Sequence, residues 1–312
     1  MGPHPDDGGA NAAASAPSPL RMNRAAVALS AVTLTSLACA WAAICFRSQS
    51  DEPKSIAEAP RSNSNIEKSS MPSAVGKWGT LKGQILLAGE IPKIPPVVCA
   101  GDSKVKDASF SAAQDIPSEA LLVDPGTKGI ANVVIFMLKK PSAVHPNGVR
   151  STQEEVVFNL KNCRFAPHVA LVRTDQAIRV VSSDPVIHSI HSQSKKNMEV
   201  NVVLDGPGDA GMRLPIQSHS EKLPVKVISD IHDWMSAYWV ILDHPYAAIT
   251  DSTGNYEIGN LPVGKHHLVI WHESAGVLDQ QFTVSIDEGV NLQQPRESVS
   301  YTHLTLPTIY SV

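Results

Sequence analysis

The chain has 312 residues, of which 43% are hydrophobic, enough for one large or two small domains with a buried core. Its 26 basic and 30 acidic residues leave a formal net charge of −4, so there is no basic stripe to neutralise phosphates, which argues against nucleic acid as a partner. Four cysteines, Cys39, Cys45, Cys99 and Cys163, are too few for a disulfide scaffold and none has a C-x-x-C neighbour, which rules out the common zinc and redox spacings.

Residues 1–24 are mostly Pro, Gly, Ala and Ser, a mixture with no periodic apolar face, and are expected to form a disordered cytoplasmic tail. Arg21 and Arg24 precede an uncharged run, Ala25 to Phe46, that would rise roughly 33 Å as a helix, enough to cross a bilayer core. The arginines before the run place the N-terminus inside and the remainder outside, in the periplasm or extracellular space. Small residues at Ala38, Ala40 and Ala42 also fit a cleaved secretory signal. A single-pass anchor and a signal sequence both export the same domain. Residues 47–77 read as a flexible linker. At the other end, 293–312 form a tail, in which Ser300 to Val312 resembles a translated cloning scar.

Between Trp78 and Gln293 the apolar residues come in short Val- and Ile-rich runs punctuated by Gly, Pro, Asn and Asp, an all-β pattern. Twelve strands are predicted: Leu81 to Leu87, Asn132 to Leu138, Val156 to Leu160, Ala170 to Val172, Ala177 to Val181, Val200 to Leu204, Val225 to Ser229, Ala237 to Leu242, Ala247 to Thr250, Tyr256 to Ile258, His267 to Trp271 and Gln281 to Ile286. Such strands build one or two sandwiches. Cys99 and Cys163 are expected to be able to bridge in an oxidising compartment.

In Thr250-Asp251-Ser252-Thr253-Gly254-Asn255-Tyr256-Glu257-Ile258, Asp-x-x-Gly makes a tight turn and Tyr256 and Ile258 alternate inward; Leu261-Pro262-Val263-Gly264 makes the next turn. This stretch resembles the carboxypeptidase regulatory-like, or transthyretin-like, family of small sandwiches, which implies a spacer or binding module rather than catalysis. Gly259-x4-Gly264-Lys265 is a decoy for a phosphate loop, because His266 replaces the required hydroxyl and no helix follows.

Nine of the 12 histidines fall between His168 and His272. Within that window, Ser182-Ser183-Asp184-Pro185-Val186-Ile187-His188-Ser189-Ile190-His191 is followed by Ser229-Asp230-Ile231-His232-Asp233-Trp234-Met235. An upstream His and a loop of x-x-x-His-x-x-Met form resemble the cupredoxin family. Together with Cys163-Arg164-Phe165-Ala166-Pro167-His168 and Asp243-His244-Pro245-Tyr246, they resemble a group of exported bacterial proteins joining a cupredoxin-like to a carboxypeptidase regulatory-like domain. The resemblance implies a Greek-key β-sandwich over 78–243, a small sandwich over 244–292, and a metal site of His188, His232 and Met235. Ser229 stands at the position of the family's thiolate, and Ser189 replaces the Asn that commonly follows the first His. A hydroxyl cannot supply the sulfur bond of a blue-copper centre, so the expected site is a thiolate-free His/His/Met set suited to copper binding or trafficking, with His191 or His168 as further candidates. No nucleophile elbow or paired carboxylates point to an enzyme. The competing expectation is a metal-free interaction module on a stalk, presenting its surface to a protein or polysaccharide.

Overall fold

The computed structural model describes residues 76–207 and 211–300. The expected tail at 1–24, the apolar run at 25–46, nearly all of the linker and residues 301–312 lie outside them. Among the described residues, no helix is long and apolar enough to cross a membrane. The strands are Trp78–Ala88 (β1), Val134–Met137 (β2), Glu155–Leu160 (β3), Phe165–Ala166 (β4), Val169–Arg173 (β5), Ala177–Ser182 (β6), His188–Ser192 (β7), Asn201–Leu204 (β8), Met212–Arg213 (β9), Val225–Ile228 (β10), Ser236–Leu242 (β11), Ala247–Ile249 (β12), Asn255–Pro262 (β13), Gly264–His272 (β14), Gly276–Ile286 (β15), Gly289–Leu292 (β16) and Arg296–Ser300 (β17). A single helical turn, Ala108–Ser111 (α1), lies between β1 and β2. Each of the twelve predicted runs falls on one of these strands.

The strands form four sheets, ordered β13-β1-β16 with β17 also on β1, β5-β11-β10-β7-β8, β12-β2-β14-β15, and β4-β3-β6-β9. Side chains alternate across each strand, so one strand can feed two cores. Trp239 and Ile241 of β11 join Phe158, Phe165 and Ile190 in the core between the second and fourth sheets. Ile135 of β2 and Leu268 and Ile270 of β14 join Leu81, Ile85 and Tyr256 in a core between the first and third. The remaining faces of those strands, Val134, Phe136, Val240, Leu242, Val269 and Trp271, pack together as a third core between the two sandwiches. This double burial explains why Val134–Met137 reads as an unbroken apolar run, buried at every position, rather than as an alternation.

The sandwiches are not consecutive along the chain. β1 pairs antiparallel with β13, and β2 lies between β12 and β14, so the 244–292 segment shares both its sheets with strands that precede residue 138. The Asp251–Gly254 turn fixes one of these contacts. Gly254 takes φ 83°, and a Cβ there would lie 2.3 Å from the Ile85 carbonyl oxygen, so both conformation and space require glycine.

Phe136 is buried in the core shared by the two sandwiches. Phe136→Ala should lower the unfolding free energy by about 3–5 kcal/mol in a denaturant titration, and a loss below about 1 kcal/mol would contradict this packing. His272, at the end of β14, is 2% exposed, and burial pushes its pKa down from 6.5 to about 4. The native state therefore holds a neutral ring that the unfolded chain protonates first. Stability contributed here is complete above pH 6.5 and is lost as pH falls toward 4, by up to about 3 kcal/mol. His272→Gln should remove that part of the acid slope, as read by urea midpoints between pH 7 and 4; parallel slopes for both proteins would refute it.

Candidate metal centre

Four segments converge at one end of the sandwich that β3 to β11 build. The hairpin joining β3 to β4 turns at Asn162 and Cys163, with Lys161 and Arg164 exchanging backbone hydrogen bonds of 3.0 and 3.2 Å. Both central residues are left-handed, φ 54° and 49°, the conformation of a type I′ turn. That turn favours glycine at its second central position, and a residue with a Cβ costs roughly 1–2 kcal/mol there. A cysteine at that place is a local departure from turn chemistry of the kind found at functional sites.

Asp184, in the loop after β6, holds this turn. Its Oδ1 accepts Asn162 N–H at 2.6 Å, and its Oδ2 accepts Cys163 N–H at 2.7 Å and His188 Nε2–H at 2.9 Å. Burial would raise the carboxyl pKa, but these donors outweigh it and hold the group below its ordinary value. The Cys163 thiol is the reverse case: burial first, then the charges of Asp184 and Asp107, push it up to about 12. Without a cation it is a neutral thiol; a bound metal ion would reverse that balance.

His188 and His232 are both fully buried, with ring centroids 4.9 Å apart. Asp184 accepts a hydrogen bond from Nε2–H of His188, and Asp107 accepts one from Nε2–H of His232 at 3.0 Å. Each carboxylate fixes the tautomer and leaves Nδ1 as a bare lone pair, and neither Nδ1 has a hydrogen-bond partner. Burial lowers the His232 pKa, opposed by the bond from Asp107. Two buried ring nitrogens without hydrogen-bond partners are a cost that a bound cation removes.

The expected site needs correction here. Among the described residues, the group of His, Cys, Asp and Glu that could hold a metal ion is Cys163, Asp184 and His188, whose ligand atoms lie within 4.8 Å of one another. The candidate centre therefore contains a thiol and is not thiolate-free. The reading of Ser229 as the residue standing where the sulfur ligand should be fails because the sulfur comes from a different loop. Ser229 Oγ accepts the N–H groups of Ile231 and His232 at 3.2 and 3.1 Å and bonds Ser189 Oγ at 3.1 Å, so it shapes the loop. Ser189 Oγ in turn accepts Asp230 N–H at 2.8 Å.

His232 is brought beside His188, while Met235 is buried in the sandwich core, its N–H bonded to His232 O at 2.9 Å. Trp234 donates its indole N–H to Cys163 O at 3.1 Å, tying this loop to the hairpin. The two further candidates lie elsewhere. His191 bonds Asp230 at the exposed rim, and His168 bonds Glu273 on the other sandwich. Cys99 and Cys163 are both free, one exposed and one buried, so the expected bridge is absent.

Comparison with known proteins adds little to this geometry. No family model matches the chain, and no curated protein matches it. Among solved structures, the reduced Cu(I) form at pH 4 of an amicyanin mutant overlaps 29% of this chain and 85% of its own, at 9% identity and a TM-score of 0.21. The copper-containing nitrite reductase from Thermus scotoductus SA-01 overlaps 49% of this chain and 33% of its own, at 14% identity and a TM-score of 0.25. The likeness to cupredoxin-type folds is thus weak and partial, and it decides nothing about the chemistry of this chain.

If the hairpin is strained at Cys163, the two small replacements must differ. Cys163→Gly should be more stable than Cys163→Ala by about 1 kcal/mol in metal-free protein, because only glycine takes the left-handed conformation freely. Equal denaturation midpoints for the two variants would contradict the strain.

Proposed function

We propose that this chain binds one thiophilic transition-metal ion, copper foremost, at the cluster of Cys163, Asp184 and His188, with His232 packed beside it. The observation that supports this reading is the convergence of ligand atoms of Cys163, Asp184 and His188 within 4.8 Å of one another at a buried place, where Nδ1 of His188 and of the adjacent His232 has no hydrogen-bond partner. Imidazole and thiolate donors suit copper or zinc and do not suit calcium or magnesium, which take oxygen ligands. Asp184 accepts two backbone N–H groups and an imidazole N–H, so it orients His188 and the Cys163 turn, and its Oδ1, with a single donor, keeps a lone pair for an ion. Asp107 does the same for His232.

The chemistry such an ion supplies, when bound, is soft-metal coordination with access to one-electron redox if the ion is copper. The protein's own part is to commit Nε2 of both rings to carboxylates, so that Nδ1 is the nitrogen left without a partner, and to keep water away from the thiol. We further read the chain as non-catalytic and exported, with the domain on a stalk behind an anchor or signal; the support is the arginine-flanked apolar run at 25–46.

Reconstitution followed by competition with a chromophoric chelator tests the reading. One copper per chain is expected, with affinity falling at least 100-fold in Cys163→Ala and in His188→Ala, and about 10–100-fold in Asp184→Asn. Failure of the wild-type chain to retain stoichiometric metal would contradict the proposal and favour the metal-free interaction module. Undiminished binding by Cys163→Ala would also refute it.

A further inference from the structure

Cys163, Asp184, His188 and His232 are all buried, so an ion or any other reagent reaches them only after a covering segment has moved. Three of the coverings are held by several bonds each. The β3–β4 turn is tied at two amides by Asp184 and at Cys163 O by the Trp234 indole. The 229–235 loop is tied through Ser229 and Ser189, and the loop after β6 through Asp184 and by Ser183 N–H to Leu160 O at 2.9 Å.

The fourth covering differs. Residues 97–116 leave the other sandwich after β1, cross to this end of the β3 to β11 sandwich and return toward β2. Their ends are pinned to each other, Val97 N–H to Ile116 O at 2.8 Å and Ile116 N–H to Val98 O at 2.9 Å. Among the described residues, every hydrogen bond of this segment stays inside it except one, from His232 Nε2–H to Asp107 at 3.0 Å. The base, Val98, Ala112 and Ile116, is buried in the core, whereas Val105, Ala108 and Phe110 at the tip are only partly buried. The Asp107 side chain is 29% exposed and that of His232 0%, so their bond lies at the boundary between solvent and the centre. A tip held by partial apolar contact and one directional bond is the covering that costs least to lift.

We propose that residues 102–110 form a lid over the metal centre, latched by Asp107 on His232, whose opening admits reagents and ions to Cys163. What passes the lid rests on the metal-binding reading above; the motion does not.

The rate at which an aromatic disulfide reagent labels Cys163 measures the opening in the metal-free full chain with Cys39, Cys45 and Cys99 replaced by Ser. Labelling with a urea dependence well below that of global unfolding is expected, because lifting the tip exposes little surface. Asp107→Gly should label at least about tenfold faster, since glycine takes the left-handed conformation of Asp107, φ 55°, and the variant loses the bond without adding backbone strain. Asp107→Asn keeps an acceptor oxygen and should be accelerated less. Labelling as steeply dependent on urea as global unfolding, or a folded Asp107→Gly labelled at the parent rate, would overturn the lid. Acceleration in Trp234→Phe alone would also overturn it, by placing the opening at the β3–β4 hairpin. The urea dependence of the parent chain decides the matter if Asp107→Gly does not fold. A chain that shows this lid motion yet retains no copper would refute the metal-binding reading and leave the lid standing, so the two failures are distinct.

Discussion

A single buried carboxylate organises the candidate centre. Asp184 is 1% exposed, and a charge placed so deeply persists only if its oxygens are supplied with donors. The supply comes from three directions: two consecutive amides of the β3–β4 turn, and the imidazole at the start of β7. The same bonds hold a cysteine in a left-handed conformation and orient the His188 ring with Nε2 committed to the carboxylate. Turn geometry, tautomer and thiol placement are thus one constraint. Removing the carboxylate would release all of them at once.

The scaffold around this end is stiff because the strands that carry it are packed on both faces. β11, which follows the Ser229–Met235 loop, contributes Trp239 to the core beneath the centre and Val240 to the core shared with the other sandwich. β10 and β7 pair antiparallel, Ile228 opposite His191, which brings the loop after β10 beside the start of β7. Side chains in such a double-packed sheet have little freedom to repack, so His188 and His232 are held close whether or not an ion is present.

Much of the fold was legible from period-2 runs and turn residues, because burial and strand pairing write directly into local sequence. The runs that became β2 and β11 were visible as apolar segments, although that they serve two cores was not, since both faces simply read as hydrophobic. β7 was not legible as a strand: His-Ser-Ile-His-Ser carries no apolar alternation, and its polar residues are buried by hydrogen bonds to Asp184 and Ser229 rather than by hydrophobicity. The centre was half legible. His188 and His232 stood in spacings that invite a metal reading, whereas Cys163 lies 25 residues before His188 and no linear motif joins them. The available signal was Asn162-Cys163 between two strands, where a hairpin turn would favour glycine after the Asn. Reading the sulfur position from the loop sequence alone, with Ser229 in its place, left the site thiolate-free, whereas Cys163 brings a thiol to it from the β3–β4 hairpin.

The central claim is that the sulfur of Cys163 is a metal ligand. X-ray absorption at the copper edge of the reconstituted full chain addresses it directly. The account predicts one short metal–sulfur contribution together with imidazole scattering, with the sulfur contribution gone in Cys163→Ser. A shell of nitrogen and oxygen alone in the wild-type protein, or a sulfur contribution that survives in Cys163→Ser, would contradict it.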